Sequence, residues 1–390
     1  MISNGGRRIY ADHAATTPVR DEVLVAMLPH FGANGFNPSS IHAEGRRARA
    51  ALDDARDRVA RALGAKPREI VFTGSGSEAI NLAILGAARA RKSERSHVVT
   101  GATEHNAGLH AAEMLRDEGF EVTVLPVDEN GAIDRATFAS ALREDTALVS
   151  LMLANNELGT LHPVGEFAAL ARERGALFHT DAVQAAGRVP LDVRRLGVDL
   201  LSLTAHKMFG PKGVGMLYVR TGTAIAPLIG GGGQEHGLRS GTESVAAIAG
   251  FAMAFELAIA EREAEAARLR ALRDRFEAGI LATVPHASIN ARGATRLPHL
   301  SSIAFAGADG PTLVIKLDLE GIAVSAGSAC AAGATEPSHV LRAIKSPESA
   351  ARGTIRFSFG RLTAEEEVDA LLAMLPGIVT AVRDEPAVLG

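Results

Sequence analysis

One lysine stands just after an apolar strand in the stretch Ser202-Leu203-Thr204-Ala205-His206-Lys207-Met208-Phe209-Gly210-Pro211-Lys212-Gly213. Residues 200–204 predict a buried strand, so Lys207 follows its carboxyl end. An ammonium group held there needs a partner or has a lowered pKa, which suits it to Schiff-base formation. The residues alone leave open the alternative of a surface lysine in a loop.

Apolar runs of strand length alternate with longer helical patterns around this stretch, from about residue 20 to residue 220. The predicted strands are residues 69–73, 97–100, 121–125, 147–153, 176–180 and 200–204. The predicted helices between several of them include residues 45–63, 77–90 and 163–174. This alternation predicts an α/β fold, with an open and largely parallel sheet that carries helices on both faces. In such a sheet, chemistry gathers beyond the carboxyl ends of the strands.

The chain, at 390 residues, is longer than a single hydrophobic core usually supports. A long helical pattern over residues 244–284 indicates a bridge between domains. Beyond it lie short predicted strands at residues 301–306 and 353–359, and a closing helix at residues 364–382. We therefore predict a large domain of residues 15–260, and a smaller α+β domain made of residues 1–14 and 261–390.

Composition excludes several classes of protein. The chain has 41 basic and 45 acidic residues, so it offers no electrostatic footprint for nucleic acid. Its single cysteine cannot form an internal disulfide, which fits a reducing compartment. The N-terminal residues include no apolar stretch typical of a signal peptide, and the longest apolar segment is too short to span a membrane. We expect a cytoplasmic protein without a membrane or nucleic-acid partner.

Polar residues follow several predicted strands. Thr73-Gly74-Ser75-Gly76-Ser77-Glu78 opens a helix, where free N–H groups and hydroxyls make a phosphate cradle, although a plain N-cap turn fits equally. Asp181 follows a strand, where its carboxylate can meet a cofactor ring nitrogen or simply cap a helix. His105 also follows a strand, and its ring can stack, titrate or bind a metal. Because the 13 histidines form no H-E-x-x-H or cysteine-paired spacing, we predict no metal site.

Cys330 lies among small residues in Ser325-Ala326-Gly327-Ser328-Ala329-Cys330-Ala331-Ala332-Gly333. A lone cysteine is commonly a small buried hydrophobe. Glycine and alanine on both sides, however, give the sulfur little apolar cover and give the backbone freedom to move. This setting favours a thiol that acts as a reagent.

The chain resembles the cysteine desulfurases, which are pyridoxal-phosphate (PLP) enzymes of the class V aminotransferase family with the aspartate aminotransferase-like fold type I. The resemblance runs from about Tyr10 to the C-terminal helix. It rests on Ala11-Asp12-His13-Ala14-Ala15-Thr16-Thr17-Pro18, Thr103-Glu104-His105, Asn155-Asn156-Glu157-Leu158-Gly159, His179-Thr180-Asp181-Ala182-Val183-Gln184, the lysine stretch above, Arg239-Ser240-Gly241-Thr242 and Gly327-Ser328-Ala329-Cys330. Only the cysteine segment singles out desulfurases within class V.

The resemblance implies a role for each of these residues. Lys207 would hold PLP as an aldimine, Asp181 would pair with the pyridinium nitrogen, and His105 would stack on the ring and assist proton transfer. The other cofactor-binding residues it implies are Gly76, Ser77, Asn156, Gln184, Thr204, His206 and Thr242, the last reaching the phosphate of the partner subunit in a homodimer. The substrate carboxylate would be held by Asn37, Asn156 and Arg356.

The same resemblance implies conversion of L-cysteine to L-alanine, with the sulfur captured as a persulfide on Cys330. A sulfur-acceptor protein would then take the sulfur, either an iron–sulfur scaffold or a tRNA-thiolation enzyme. The length of the cysteine segment is similar to that of the NifS/IscS-like group. This sequence departs from the family pattern at Ala326 and Ala331, and at the Gly74-Ser75 and Thr204-Ala205 pairs.

Three classes of alternative stay open at this point: another PLP reaction, a nucleotide-binding oxidoreductase and a non-catalytic scaffold. The nearest are selenocysteine lysis and another class V aminotransferase or lyase reaction. A nucleotide-binding oxidoreductase would also have an alternating α/β pattern, but the chain lacks the fingerprint glycine spacing. A non-catalytic scaffold would have no physical need for Lys207, Asp181, His105 and Cys330 together.

Overall fold

The computed structural model describes residues 8–32, 35–326 and 337–384. A seven-stranded sheet forms its centre, and the remaining strands belong to two smaller sheets. The strands in chain order are β1 (Ile9–Tyr10), β2 (Ile70–Thr73), β3 (His97–Gly101), β4 (Glu121–Leu125), β5 (Thr146–Ser150), β6 (Leu177–Asp181), β7 (Leu200–Thr204), β8 (Gly215–Val219), β9 (Ala287–Ile289), β10 (Leu300–Phe305), β11 (Ile322–Ala323), β12 (Ser325–Ala326) and β13 (Thr354–Ser358).

The central sheet has the strand order β2-β8-β7-β6-β5-β3-β4. Strands β3 to β7 pair in parallel, whereas β8 is antiparallel to both of its neighbours. Successive residues of a strand point to opposite faces, and both faces are buried here, as is typical of parallel sheets. Leu148 belongs to the hydrophobic core on one face, and Val149 to the core on the other.

The helices cover both faces of this sheet and the smaller sheet beside it. They are α1 (Asp21–Met27), α2 (Ala43–Leu63), α3 (Gly76–Ala90), α4 (Asn106–Asp117), α5 (Arg135–Ala141), α6 (Val164–Glu173), α7 (Val193–Leu196), α8 (Val245–Thr283), α9 (Gly310–Leu319), α10 (His339–Ala343), α11 (Glu348–Arg352) and α12 (Glu365–Asp384).

The C-terminal part forms a second, antiparallel sheet of four strands in the order β12-β13-β10-β9. The N-terminal strand β1 pairs in parallel with β11, and Asp12 forms a bridge to Ser358. Residues 9–12 therefore lie against the C-terminal third of the chain. This pairing agrees with the assignment of residues 1–14 to the smaller domain, whose boundaries stay a prediction.

Helix α8 joins the two hydrophobic cores. At 39 residues it is about 58 Å long. Its first turns pack Phe251 and Phe255 into the core under the central sheet, and its last turns pack Phe276 and Ile280 into the core of the smaller sheet. The sequence prediction of a helix bridging two units therefore has a structural counterpart.

The predicted α/β fold is confirmed, with three differences of detail. Strand β8 was not predicted, and it is the one antiparallel strand of the central sheet. Strand β5 ends at Ser150 rather than at residue 153, although Leu151 and Leu153 stay buried and donate backbone hydrogen bonds to His179 and Asp181 of β6. Asp181 is the last residue of β6 rather than the first residue after it. Within the described ranges, no helix is both long enough and apolar enough to cross a membrane.

Candidate functional site

A cavity of about 800 Å³ opens at the carboxyl ends of the central strands. Parallel strands bring the residues that follow them to the same edge, so residues far apart in sequence meet here. Ten of the sequence-predicted site residues line the cavity: Gly76, Ser77, His105, Asn156, Asp181, Gln184, Thr204, His206, Lys207 and Arg356.

The cavity has two walls of different origin. We call the side built from the ends of the central strands the sheet wall; it carries Ser75, His105, Asn156, Asp181 and Lys207, among others. We call the side built from the chain beyond residue 337 the C-terminal wall. It consists of Pro337, Ser338, His339, Arg342 and Arg356.

The N-terminus of α3 lies on the sheet wall. The Ser75 hydroxyl caps the helix by accepting a hydrogen bond from the Glu78 amide (3.1 Å), so the predicted N-cap is present. The amides of Gly76 and Ser77 belong to the first turn, whose N–H groups have no partner within the helix. A Cβ added at Gly215 on β8 would stand 2.4 Å from the Ser75 carbonyl, so this glycine permits the close approach of the turn. The first turn of α3 is thus suited to an anion.

Lys207 is held at the cavity by the chain that follows β1. Its Nζ donates to the carbonyl oxygens of Ala14 and Ala15, at 2.7 Å each. The Thr17 hydroxyl donates to the His206 carbonyl (2.9 Å) and accepts from the Phe209 amide (2.6 Å). These bonds clamp the lysine turn, in which Phe209 has a positive φ of 62°. The lysine is therefore half-buried and directed at the cavity, not a solvated surface residue.

Asp181 provides a buried carboxylate on the same wall. Its Oδ1 accepts a hydrogen bond from the Val183 amide (2.8 Å), and it interacts electrostatically with Lys207. Burial raises the pKa of Asp181 to about 6, against the lowering effects of the Val183 amide and Lys207. A carboxylate that is costly to ionise in isolation is stabilised by a cationic ligand, such as a protonated ring nitrogen.

His105 is the N-cap of α4. Its Nδ1 accepts a hydrogen bond from the Ala107 amide (3.1 Å), so the proton of the neutral ring resides on Nε2. Burial, and then the positive charge of Lys207, lower the pKa of His105. The imidazole is therefore neutral near pH 7, with a flat ring available for stacking.

Three further residues of the sheet wall carry polar groups. The Gln184 amide donates to the Ala14 carbonyl (3.0 Å), and His206 Nδ1 lies 3.1 Å from the Thr16 hydroxyl. The Thr204 hydroxyl donates to the Val214 carbonyl at 3.0 Å. All three tie the site to neighbouring turns, and their roles toward a cofactor stay predictions.

Arg356 lies on the C-terminal wall, in strand β13. Its guanidinium donates to the Asn156 carbonyl (2.9 Å) and to Asp12 Oδ1 (3.0 Å), and its side chain is only 3% exposed. Its Nε is buried and has no hydrogen-bond partner. A buried guanidinium that lines a cavity is well suited to bind a carboxylate through its fork.

Sequence reasoning missed a group of polar residues where the two walls meet, two on each wall. Glu157, Ser338 and His339 line the cavity, and Glu104 is buried directly before His105. Two of them belong to motifs quoted above, Thr103-Glu104-His105 and Asn155-Asn156-Glu157, but sequence spacing gave them no role. Their burial is the signal, and only the structure reveals it.

Two predicted residues of the described chain, Asn37 and Thr242, do not line the cavity. Asn37 is exposed, and its Oδ1 accepts from the Ser39 amide at 2.8 Å. Thr242 is also exposed and does not line the cavity. Cys330 lies outside the described residues. Where the chain is described, no group of three or more His, Cys, Asp or Glu side chains is arranged to hold a metal ion.

Comparison with known proteins shows the family to which a chain with this cavity belongs. The model of the family described as aminotransferase class-V matches residues 9–371. The chain is 47% identical over 377 residues to the cysteine desulfurase IscS of Dictyoglomus turgidum, covering 97% of this chain and 96% of the relative. It is 48% identical over 377 residues to the cysteine desulfurase NifS of Azotobacter vinelandii, with 96% and 94% covered. A solved structure titled NifS-like protein superposes with a TM-score of 0.90 at 37% identity, covering 96% of this chain and 100% of that one.

Proposed function

The chain belongs to the class V aminotransferase family, and we propose that it is a cysteine desulfurase that converts L-cysteine to L-alanine and captures the sulfur on Cys330. One observation carries the proposal beyond family membership. The cavity places Lys207 on the same wall as a helix N-terminus and a buried carboxylate, with Arg356 on the other wall. Lys207 supplies an amine for a covalent bond, the helix N-terminus suits a phosphate, the buried carboxylate suits a cationic ring, and Arg356 suits the carboxylate of a substrate.

The donor set fits PLP. The first turn of α3, with Gly76 and Ser77 at the cavity, suits the phosphate, and Asp181 suits a protonated ring nitrogen. Lys207 Nζ is the amine that would bind the aldehyde carbon covalently. Bound PLP supplies an electron sink for the charge left when the α-proton of the substrate is removed.

The remaining steps belong to the side chains of this protein. Arg356 holds the carboxylate of L-cysteine through charge-assisted hydrogen bonds. Lys207 Nζ takes the α-proton of the substrate and later returns a proton to the product. His105, which is neutral near pH 7, would stack on the ring of bound PLP and would offer its Nε2–H for proton transfer.

Sulfur capture requires the thiolate of Cys330. Its sulfur attacks the sulfur of the substrate, an S–S bond forms, and the C–S bond of the substrate breaks. The electron pair of that bond stays on the substrate carbon, which gains a proton and leaves as L-alanine. Cys330 thiol and L-cysteine therefore give Cys330 persulfide and L-alanine, with no external oxidant or reductant.

A homodimer forms part of the proposal. Apolar side chains on and near α1 are exposed in the single chain: Leu24 (45%), Val25 (66%), Leu28 (65%), Phe31 (53%) and Ile41 (91%). Apolar patches of this kind mark protein interfaces. A second copy covering this surface would account for the exposure, and would allow Thr242 to reach the partner subunit's cofactor phosphate.

The persulfide sulfur passes to an acceptor protein. An iron–sulfur scaffold and a tRNA-thiolation enzyme are the two classes that the resemblance implies, and a cytoplasmic location fits both. To distinguish them, a purified protein of each class is incubated with the persulfidated enzyme and then separated from it. Only a true acceptor carries the transferred sulfur after the separation.

The central test uses the PLP-loaded protein with ³⁵S-labelled L-cysteine. We expect L-alanine, and a label on the protein that a thiol reductant removes. Because Cys330 is the only cysteine, this label can sit on one thiol alone. Cys330→Ser should lose both the label and alanine release. Wild-type release of sulfide by that variant would contradict the mechanism, and selenocysteine, tested alongside, distinguishes lysis of that substrate.

A further inference from the structure

We propose that Glu157 and Ser338 form a latch that fixes the start of α10, eight residues after Cys330, at the cavity, and that this latch is required for sulfur capture rather than for substrate binding. The inference rests on the proposed function, because it gives Cys330 the role of sulfur acceptor. Both residues line the cavity, and neither acts on the substrate in the mechanism above.

The contact between the two residues is short and buried. The Ser338 hydroxyl donates to Glu157 Oε2 at 2.6 Å, and the residues are 6% exposed each. The same hydroxyl accepts from the Leu341 amide (3.2 Å), so Ser338 also caps helix α10. Burial raises the pKa of Glu157 to about 7. A carboxyl group is costly to bury, and its hydrogen bond to Ser338 offsets part of that cost.

A second hydrogen bond joins the same two segments. His339 Nε2 donates to the Glu104 carbonyl oxygen at 2.9 Å. Glu104 directly precedes His105, and Glu157 directly follows Asn156. The start of α10 is therefore fixed to the two sheet-wall loops that present the predicted cofactor-binding residues.

The chain before Cys330 is held at the same cavity. Ser325 pairs with Arg356 in the β12–β13 ladder, and its hydroxyl donates to Asp12 Oδ1 (2.9 Å). Asp12 in turn accepts from Arg356, which lines the cavity. Cys330 follows Ser325 by five residues and precedes Ser338 by eight. Its chain is thus attached at the cavity on both sides.

Holding both ends of a segment raises the effective concentration of a group carried within it. Releasing the Ser338 end lowers the concentration of the Cys330 thiol at the substrate sulfur. Arg356 is held by the Asn156 carbonyl and Asp12, and Lys207 by the Ala14 and Ala15 carbonyls, so Ser338 holds neither group; Glu157 interacts with Arg356 only electrostatically. Loss of the latch should therefore slow sulfur capture selectively.

The experiment uses the PLP-loaded enzyme mixed rapidly with L-cysteine. Two signals are followed: the early change in absorption of the bound cofactor, and the appearance of ³⁵S on Cys330. In Ser338→Ala and in Glu157→Ala we expect the first signal within about twofold of wild type, and the second slowed roughly ten- to hundredfold, as for the loss of a hydrogen bond that leaves a buried polar partner unsatisfied.

The variants separate the latch from the helix cap. Glu157→Ala leaves the cap of α10 intact, since Ser338 still accepts from Leu341. Ser338→Thr and Glu157→Gln keep a donor and an acceptor, so both should recover most of the rate. The double variant Glu157→Ala/Ser338→Ala should be no slower than either single variant, because the two residues act through one contact. Ser346→Ala, just beyond α10, is the matched control and should behave as wild type.

Equal slowing of the absorption change and of Cys330 labelling would overturn the inference. It would mean that Glu157 supports the fold of the loop around Asn156 and has no selective effect on sulfur capture. An unchanged rate of labelling in Glu157→Ala and Ser338→Ala would overturn it as well. A wild-type enzyme that releases alanine without labelling Cys330 would instead refute the proposed function, so the two failures are distinguishable.

Discussion

The sheet wall and the C-terminal wall face the same cavity but are built differently. Each part of the sheet wall follows a strand of one sheet, so local sequence and parallel pairing bring His105, Asp181 and Lys207 together. The C-terminal wall is brought into place by contacts between residues more than 180 positions apart, such as Ser338 with Glu157 and Arg356 with Asn156.

The two walls also differ in the sign of the charged side chain that each one buries. On the sheet wall a buried carboxylate, Asp181, interacts with the charge of Lys207, a pair that suits a charged cofactor between them. On the C-terminal wall a buried guanidinium, Arg356, is partly neutralised by Asp12 and keeps one N–H without a partner. In the proposed mechanism the first wall would hold the cofactor and the second wall would hold the substrate carboxylate.

The largest expected effect belongs to the sheet wall. Lys207→Ala removes both the covalent amine and the base, so alanine release by the PLP-supplemented enzyme should fall on the order of 10⁴-fold. Lys212→Ala, five residues later and exposed, should stay within about twofold of wild type. Comparable losses in both variants would mean that the whole lysine turn matters, not the amine that faces the cavity.

A second prediction concerns the pH dependence of stability in the cofactor-free protein. Burial raises the pKa of Asp181 from 3.8 to about 6, so the folded state binds more protons than the unfolded state between these values. This group therefore lowers the free energy of unfolding as pH rises from about 4 to about 6. The difference between 3.8 and 6 corresponds to about 3 kcal/mol.

Asp181→Asn removes that penalty. Chemical denaturation of both cofactor-free proteins should give a stability difference in favour of the variant that grows from near zero at pH 4 to about 3 kcal/mol at pH 7. Subtracting wild type cancels the other buried groups that titrate in the same range. A difference independent of pH would show that the Asp181 carboxylate is not strained by burial.

The C-terminal wall gives the next effect. Arg356→Lys keeps a positive charge for Asp12 but loses the bidentate fork, so KM for L-cysteine should rise about thirtyfold, or about 2 kcal/mol, with little change in kcat. Arg352→Lys, at an exposed ion pair with Glu348, is the control and should leave both constants unchanged. A fall in kcat with constant KM would move Arg356 from substrate binding to the chemical step.

The smallest effect tests the close approach at the sheet wall. Gly215→Ala places a Cβ 2.4 Å from the Ser75 carbonyl and should weaken PLP binding by the cofactor-free protein about tenfold, measured by absorbance titration. Gly377→Ala in α12 meets no atom within 4 Å, so it should leave PLP affinity unchanged and add about 1 kcal/mol of stability. Equal PLP affinity of Gly215→Ala and wild type would mean that the turn before α3 is not fixed by β8.

Much of the sheet wall was predictable from sequence, and much of the C-terminal wall was not. Strand ends mark Asp181 and Lys207, because apolar runs and their boundaries are local signals. The Ala14 and Ala15 carbonyls that receive Lys207, and the Ser338 hydroxyl that meets Glu157, leave no such signal. Their importance comes from distant contacts. The antiparallel strand β8 is a short apolar run that the sequence interpretation left unassigned, and only its direction follows from pairing with β2 and β7.

The sequence by itself determined the α/β fold, the family resemblance, and the identity of the lysine, aspartate, histidine and arginine that line the cavity. It could do so because hydrophobic periodicity and short motifs are properties of neighbouring residues. Only the tertiary structure decided which carboxylates are buried, which carbonyls hold Lys207, and how the chain on either side of Cys330 is fastened to the cavity. Burial and hydrogen bonding between distant segments depend on packing, and packing is settled only when the whole chain is folded.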